Sequence, residues 1–294
     1  MANLALFDKT IFDAVSKSEQ EIENKLGCDL LYFYGDIRSG RLSYFRNYVE
    51  KLAAQTSKRE TLGICLTTPG GEAEVVEKMV DIIRYHYPNR VYFIVPSAAL
   101  SAGTIFCMSG DKIYMDYSSS LGPIDPQVPD KEGKYLVPAL GYLDKVEDLV
   151  QKSKNNTISA GELAILIRQD LAMLRFYEQA RDLSKALLKD WLTKYKFKDW
   201  ALHRTNNPGT PVTLDEKEAR ADQIAKQLSD NKVWHSHGRM IGMDKLRAML
   251  RLEIDDFGTD TSLRDNIRLY SDTLSDYLGR HGYDFFMHNR NIGL

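Results

Sequence analysis

Two segments decide the fold, TTPGGEAEVVEKMVDIIR at residues 67–84 and VYFIVPSAALSAGTIFCMSGDKIYMD at residues 91–116. In the first, Val75, Met79 and Ile83 recur at helical spacing, which predicts a helix with one buried stripe. The second begins with an apolar run typical of a buried strand, and small residues separate this run from the next helical stretch. Because strands that alternate with helices pair in parallel through crossovers, the pattern predicts an α/β fold.

The same alternation extends outward from these segments over about the first 125 residues. Apolar runs predict strands, and periodic stretches between them predict helices. The predicted strands are Leu30–Tyr34, Leu62–Thr67, Arg90–Val95 and Lys112–Met115. The predicted helices are Ile11–Lys25, Arg41–Gln55, Glu72–Tyr87 and Ser101–Ser109.

The second half of the chain has a different, mainly helical pattern. Ser159 and Glu162 form a capping box that predicts the start of a long helix, and Thr213 and Glu216 form another. We therefore predict a core at residues 1–137 and a helical extension at residues 138–294 that contacts a partner or another subunit.

The composition excludes several classes of protein. Of 294 residues, 43% are hydrophobic and 27% charged, and the net charge of −2 gives no general attraction for nucleic acid or anionic lipid. Cys28, Cys65 and Cys107 are an odd number of thiols without a C-x-x-C pair, so we expect reduced cysteines and no metal site. No secretory signal or membrane span is expected, and a cytoplasmic location follows.

A first candidate site is the Pro69-Gly70-Gly71 turn between a predicted strand and a helix. Glycine amides are not covered by side chains, and a helix N-terminus adds partial positive charge. Such a turn can form an oxyanion hole, although it can also be a plain strand-to-helix turn.

A second candidate site is the Pro96–Thr104 loop, in which Ser101 is surrounded by small residues before a helix. A nucleophilic serine needs such an exposed position and an amide donor at the residue that follows it. Small residues also occur where helices pack tightly, so this loop alone leaves both interpretations open.

Together with SSLGPIDPQ at residues 119–127, the two segments resemble the Clp protease/crotonase superfamily. Within it, the chain is most similar to the serine dehydrogenase proteinase family, which is related to signal peptide peptidase A. The resemblance runs from about Leu62 to Val128, and a weaker similarity occurs at Trp234–Ile241 (WHSHGRMI). It implies a spiral of parallel β-sheet with helices, followed by a C-terminal helical arm.

The resemblance also implies an ATP-independent serine endopeptidase that acts on peptides or unfolded proteins and needs no cofactor. Ser101 would be the nucleophile of an acyl-enzyme mechanism, with backbone amides of Gly70, Gly71 and Ala102 as the oxyanion hole. Related proteins form rings or compact oligomers, so a homo-oligomer is expected.

The base that activates Ser101 is left open by the sequence. Clp proteases take a histidine from the stretch that reads LGPIDPQ here, and this chain has none between His86 and His203. Relatives of signal peptide peptidase A use a lysine, for which Lys152 and Lys154 are the nearest candidates. A lysine base must be buried enough to lose its proton.

His237 is a further candidate for the base if it folds back onto the site or comes from a neighbouring subunit. Asp125 could orient a base or simply form a turn before Pro126. Two other functions stay possible, namely a catalytically silent scaffold that binds a partner protein and a crotonase-like acyl-CoA enzyme.

Overall fold

The computed structural model describes residues 6–129, 134, 136–204 and 207–292 of the chain. Its helices are α1 (Leu6–Leu26), α2 (Leu42–Ala53), α3 (Ala73–His86), α4 (Ala102–Met108), α5 (Ala139–Lys154), α6 (Ala160–Ile167), α7 (Leu171–Trp191), α8 (Leu214–Ser229), α9 (Asn231–Trp234), α10 (Met243–Leu250) and α11 (Thr261–His281). Its strands are β1 (Asp29–Gly35), β2 (Thr61–Thr67), β3 (Arg90–Ile94), β4 (Ala98–Ala99), β5 (Lys112–Met115), β6 (Ser120–Leu121), β7 (Gln127–Pro129), β8 (Leu136–Pro138), β9 (Ile241–Gly242), β10 (Asp255–Asp256) and β11 (Phe285–His288).

A six-stranded sheet in the order β10-β5-β3-β2-β1-β11 forms the centre of the fold. All neighbouring pairs in it are parallel except β1 and β11. Parallel strands need cover on both faces, which explains why their sequences are continuous apolar runs. The predicted α/β class is confirmed, and strands occur at all four predicted positions.

Helices cover the two faces of this sheet. On one face, α2, α3 and α4 pack into the larger core around Phe33, Ile64 and Phe93. On the other face, α1 and α11 pack around Tyr32 and Ile94. Successive residues of each strand therefore belong to different cores, as the two-residue period of a strand requires.

A small three-stranded sheet, β4-β6-β9, continues from the carboxyl end of the main sheet. β4 pairs in parallel with β6, and β6 pairs antiparallel with β9 through Leu121 and Ile241. A bridge between Thr68 and Ala99 joins this sheet to the end of β2. The two predicted site loops are thereby brought to one edge.

The second half of the chain shares sheets and core with the first. It supplies β9 to the small sheet and both edge strands, β10 and β11, to the large one. Residues of α7, α8 and α10 also lie in the larger core. The sequence pattern changes from Pro138, but both halves contribute to one core. The predicted helical extension at residues 138–294 also contains strands.

The long helix predicted after Ser159 is in fact two helices. The capping box at Ser159 and Glu162 is present, but α6 ends at Ile167. Asp170 then caps α7, since its side chain accepts hydrogen bonds from the Ala172 and Met173 amides. A carboxylate at this position satisfies amides that would otherwise lack partners, and it thereby starts a new helix.

Candidate active site

Ser101 lies at the turn between β4 and α4 in an unusual backbone conformation. Its φ of 52° and ψ of −119° are disfavoured for any residue with a β-carbon. Such a conformation costs roughly 1–3 kcal/mol and persists only when the surroundings enforce it. All residues of α4 are buried, whereas Ser101 itself is partly exposed. A fixed helix therefore presents a strained, accessible serine.

The Pro-Gly-Gly turn packs directly against this serine. A β-carbon on Gly70 would lie 2.8 Å from the Ser101 β-carbon and 2.7 Å from the Leu100 carbonyl oxygen. Two backbone hydrogen bonds hold the segments together, from the Thr68 amide to the Ala98 carbonyl and from the Leu100 amide to the Thr68 carbonyl. Only glycine fits at position 70, and its absence of a side chain allows the two turns to touch.

Of the three amides predicted for the oxyanion hole, Gly70 has a different role. Its N–H donates to the Thr68 hydroxyl at 3.0 Å and so already has an acceptor. Among residues 6–129 and the other described ranges, the amides of Gly71 and Ala102 have no acceptor. Gly71 is held through its neighbours, because Ile37 binds the Gly70 carbonyl and the Glu72 amide. Gly71 and Ala102 are therefore the two donors that remain available.

His237 and Asp125 form a hydrogen-bonded pair in which the carboxylate is buried and the imidazole is one-quarter exposed. His237 Nδ1 lies 2.9 Å from Asp125 Oδ1, and Asp125 is completely buried. The second carboxylate oxygen accepts from Gln127 Nε2 at 3.1 Å. When Nδ1 carries the proton and donates to Asp125, Nε2 is left with a lone pair that can accept a proton.

The small sheet brings the segment that leads to Asp125 to the edge that carries Ser101. A β-carbon on Gly122 would lie 3.2 Å from the Ser101 amide nitrogen, and Asp125 follows Gly122 by three residues. No hydrogen bond joins the Ser101 hydroxyl to His237 or to any other described residue. Catalytic hydrogen bonds are often loose until substrate binds, so the arrangement is compatible with a base.

The two candidate lysines are not arranged as bases. Lys152 Nζ lies 2.7 Å from Glu162 Oε1 and 3.6 Å from Asp148 Oδ2. The hydrogen bond from Glu162 and the charge of Asp148 raise the pKa of Lys152, whereas a base would need the opposite shift. Lys154 is exposed at the end of α5. In this structure the prediction of a lysine base is therefore not supported.

A cleft of about 530 Å³ opens beside the turn that carries Ser101, with Leu100 in its lining. Its lining includes the apolar residues Pro69, Ala98 and Leu100 as well as charged groups. The charged lining residues were not predicted from the sequence; they are Asp36, Arg38 and Asp284. The hydrogen bonds of Gln127 and Thr104 were not predicted either. Gln127 and Thr104 stand within the quoted motifs, which is the one signal that marked them.

The part of the chain that the structure describes contains no candidate metal-binding site. There, no three histidine, cysteine, aspartate or glutamate side chains come together in a way that could hold an ion. Nor does any helix within that part have the length and apolarity needed to cross a bilayer.

The site lies within a region that matches a known family. Residues 48–216 match the family model described as ClpP-like SDH-type serine proteinase. The chain belongs to this family. The match confirms the resemblance seen in the sequence, and the family that it names is one of serine proteinases with a ClpP-like fold. The matched region includes Ser101 and Asp125, whereas His237 lies beyond it.

Curated relatives of the chain cover about half of it. Two uncharacterized proteins of Methanocaldococcus jannaschii are 29% identical over 162 residues and 27% identical over 158 residues. These matches cover 54% and 53% of this chain, and 51% and 49% of the respective relatives. The chain thus spans about half the length of the curated relatives it matches.

Solved structures that are similar to the chain include mutants of the membrane-bound stomatin-specific protease 1510-N. A mutant of it in complex with a substrate peptide is 15% identical, with a TM-score of 0.44, and the match covers 76% of this chain and 72% of that one. A second mutant is 24% identical with a TM-score of 0.32, over 42% of this chain and 62% of that one.

Proposed function

We propose that this protein is a serine endopeptidase in which Ser101 is the nucleophile. The observation that carries the proposal is the contact between the Gly70 turn and Ser101, which leaves the Gly71 and Ala102 amides free beside a strained serine. Strained nucleophiles next to paired amide donors are typical of enzymes that form acyl intermediates.

In the proposed mechanism, His237 is the base and Asp125 orients it. The Ser101 oxygen attacks the peptide carbonyl carbon as His237 Nε2 takes the hydroxyl proton, and the Gly71 and Ala102 amides bind the resulting oxyanion. The C–N bond then breaks, the imidazolium gives its proton to the leaving amine, and an acyl-enzyme remains. Water, deprotonated by His237, releases the acid and regenerates Ser101.

A fluorophosphonate probe tests this proposal because it phosphonylates only activated serines. We expect a single adduct on the tryptic peptide that contains Ser101, found by mass spectrometry. Ser101→Ala should abolish the adduct, whereas Ser97→Ala, at an exposed serine of the same loop, should retain it. A folded wild-type protein without an adduct at Ser101 would instead favour a silent scaffold.

We also propose that cleavage needs no ATP. The sequence contains no G-x-x-x-x-G-K-[ST] phosphate loop. Equal rates of peptide cleavage with and without ATP and Mg²⁺ are expected, and a strict requirement for ATP would contradict this part of the proposal.

Self-association through the helical part is a further element of the proposal. α6 has the sequence AGELAILI and buries none of its side chains, with Ile165 57% and Ile167 74% exposed. A helix whose exposed side chains are mostly apolar is normally covered, here by a second copy of the chain. Ile165→Glu should lower the mass measured by light scattering, and a monomeric wild-type protein at micromolar concentration would refute it.

A cytoplasmic location is proposed from the thiols. Cys28, Cys65 and Cys107 are all buried and free. Oxidising compartments favour paired cysteines, so free thiols fit a reducing one. Fractionation of cells that produce the protein tests this directly.

A further inference from the structure

The Thr104 hydroxyl joins three backbone groups from two separate segments. Its Oγ1 lies 2.9 Å from the Ala99 carbonyl oxygen, 3.0 Å from the Gly122 carbonyl oxygen and 2.8 Å from the Gly122 amide nitrogen. The residue is completely buried. The hydroxyl accepts from the Gly122 amide and donates its one proton to either carbonyl.

This hydroxyl provides the hydrogen-bond partners that a neighbouring strand would otherwise provide to the backbone of Gly122. β6 ends at Leu121, and its pairing with β4 ends at the Ala99–Leu121 pair. Gly122 is the next residue, and both of its backbone polar groups turn to the Thr104 side chain. Without that hydroxyl, the buried Gly122 amide would lose its acceptor and one of the two carbonyls would lose its donor.

Thr104 also connects the two parts of the site through hydrogen bonds. On one side, its amide donates to the Ser101 carbonyl at 2.8 Å within the first turn of α4. On the other side, Gly122 begins the segment that ends in Asp125, which holds His237. β4 and β6 have two residues each, so the ladder between them is too short to fix this segment by itself.

We propose that Thr104 is a positioning residue, whose hydroxyl sets the placement of Asp125 and His237 relative to Ser101. The inference rests on the proposed function, since it concerns the same nucleophile and base. Misplacement of a base by about 1 Å can reduce the rate on the order of 10²-fold. Removal of the hydroxyl should therefore act on the chemical step and leave substrate binding nearly unchanged.

The test compares Thr104→Val, which keeps the shape, with Thr104→Ser, which keeps the hydroxyl. Thr104→Val should lower kcat for peptide cleavage by about 10- to 100-fold with KM within about twofold of wild type. Thr104→Ser should restore most of kcat. Thr104→Ala also removes the hydroxyl and has a smaller side chain than valine. If the valine variant does not fold, kcat of the alanine variant provides the test.

Ser109→Ala is the matched control for loss of a buried hydroxyl. Ser109 follows α4, is 2% exposed, and donates to the Phe106 carbonyl at 2.7 Å. Its removal should lower thermal stability but leave kcat within about twofold of wild type.

Three results would overturn the inference: a wild-type kcat in the variants without the hydroxyl, no rescue by serine, or an equal loss of kcat in Ser109→Ala. Each would leave the proposed function standing, because the wild-type enzyme would still cleave peptides. An inactive wild-type enzyme would instead contradict the proposed function itself. Amide exchange at Gly122, measured by NMR, should accelerate in Thr104→Val and not in Ser109→Ala.

Discussion

His237 Nδ1 lies 2.9 Å from Asp125 Oδ1, a contact between residues that are 112 positions apart in the chain. The carboxylate is fully buried and the imidazole is one-quarter exposed, so one end of the ring is anchored and the other can face substrate. The order nucleophile, carboxylate, histidine along this chain differs from the order in chymotrypsin, but such arrangements are defined by geometry and roles.

If His237 is the base and Asp125 orients it, substitution of either residue should slow the chemical step. His237→Ala should reduce kcat by about 10²- to 10⁴-fold, and Asp125→Asn should do so as well because the amide no longer holds the correct tautomer. Lys152→Met and Lys154→Met are the controls and should keep wild-type kcat. Steady-state kinetics of peptide cleavage measures all four, and loss of activity only in a lysine variant would identify a lysine as the base.

The contact between Gly70 and Ser101 should make position 70 intolerant of alanine. The added β-carbon would meet the Leu100 carbonyl at 2.7 Å, and the φ of 106° is unfavourable for alanine. We expect Gly70→Ala to lose nearly all labelling by fluorophosphonate and about 2 kcal/mol or more of the free energy of unfolding.

Gly141→Ala is the control for this substitution. Gly141 lies exposed in α5 with open space around its would-be β-carbon, so alanine should stabilise the protein by about 0.5–1 kcal/mol and leave labelling unchanged. Urea denaturation measures both variants. Normal labelling of Gly70→Ala would show that the two turns need not touch.

The sequence predicts the parts of the fold that carry strong local signals. Long apolar runs marked β1, β2, β3 and β5, and the two site loops could be expected to meet because both follow parallel strands at the same edge of a sheet. β4, β6 and β9 have two residues each, which is too short for any periodic signal. Yet this small sheet is what brings His237 to Asp125.

Some other features of the fold depend on contacts between residues that are distant in sequence. One feature, the break between two helices, has a local signal in the sequence. β11 is a four-residue edge strand near the end of the chain, and its pairing with β1 joins the two ends of the fold. The break between α6 and α7 could have been predicted, because Asp170 is a good N-cap residue. The ion pair of Lys152 with Glu162 depended on the packing of α5 against α6, which no spacing rule gives.

Backbone strain at Ser101 should be visible in the stability of inactive variants. Glycine adopts a φ of 52° and a ψ of −119° without steric cost, whereas alanine keeps the strain. We expect Ser101→Gly to be about 1 kcal/mol more stable than Ser101→Ala in urea denaturation. At Ser97, where φ is not positive, we expect the alanine variant to be more stable than the glycine variant. Equal stability of the two Ser101 variants would mean that the turn relaxes.

Lys196 should make stability depend on alkaline pH. It ends the π-helical turn Leu192–Lys196, where its ammonium group donates to the Asp111 carbonyl at 3.5 Å. Burial lowers the pKa of Lys196 from 10.5 to about 8, although the carboxylates of Asp255 and Glu253 partly oppose this shift. Below pH 8 the folded protein must hold a charge that the unfolded chain hydrates better, so the folded state is penalised.

This penalty is complete below pH 8 and disappears as pH rises from 8 toward 10.5, because the folded state loses the proton first. Lys196→Met should therefore raise the free energy of unfolding by on the order of 2 kcal/mol at pH 7, and by much less at pH 10. Urea denaturation at both pH values measures the difference, with Lys154→Met as an exposed control that should change neither. An equal gain at pH 7 and pH 10 would mean that methionine stabilises the turn by packing, and that the charge of Lys196 has no part in it.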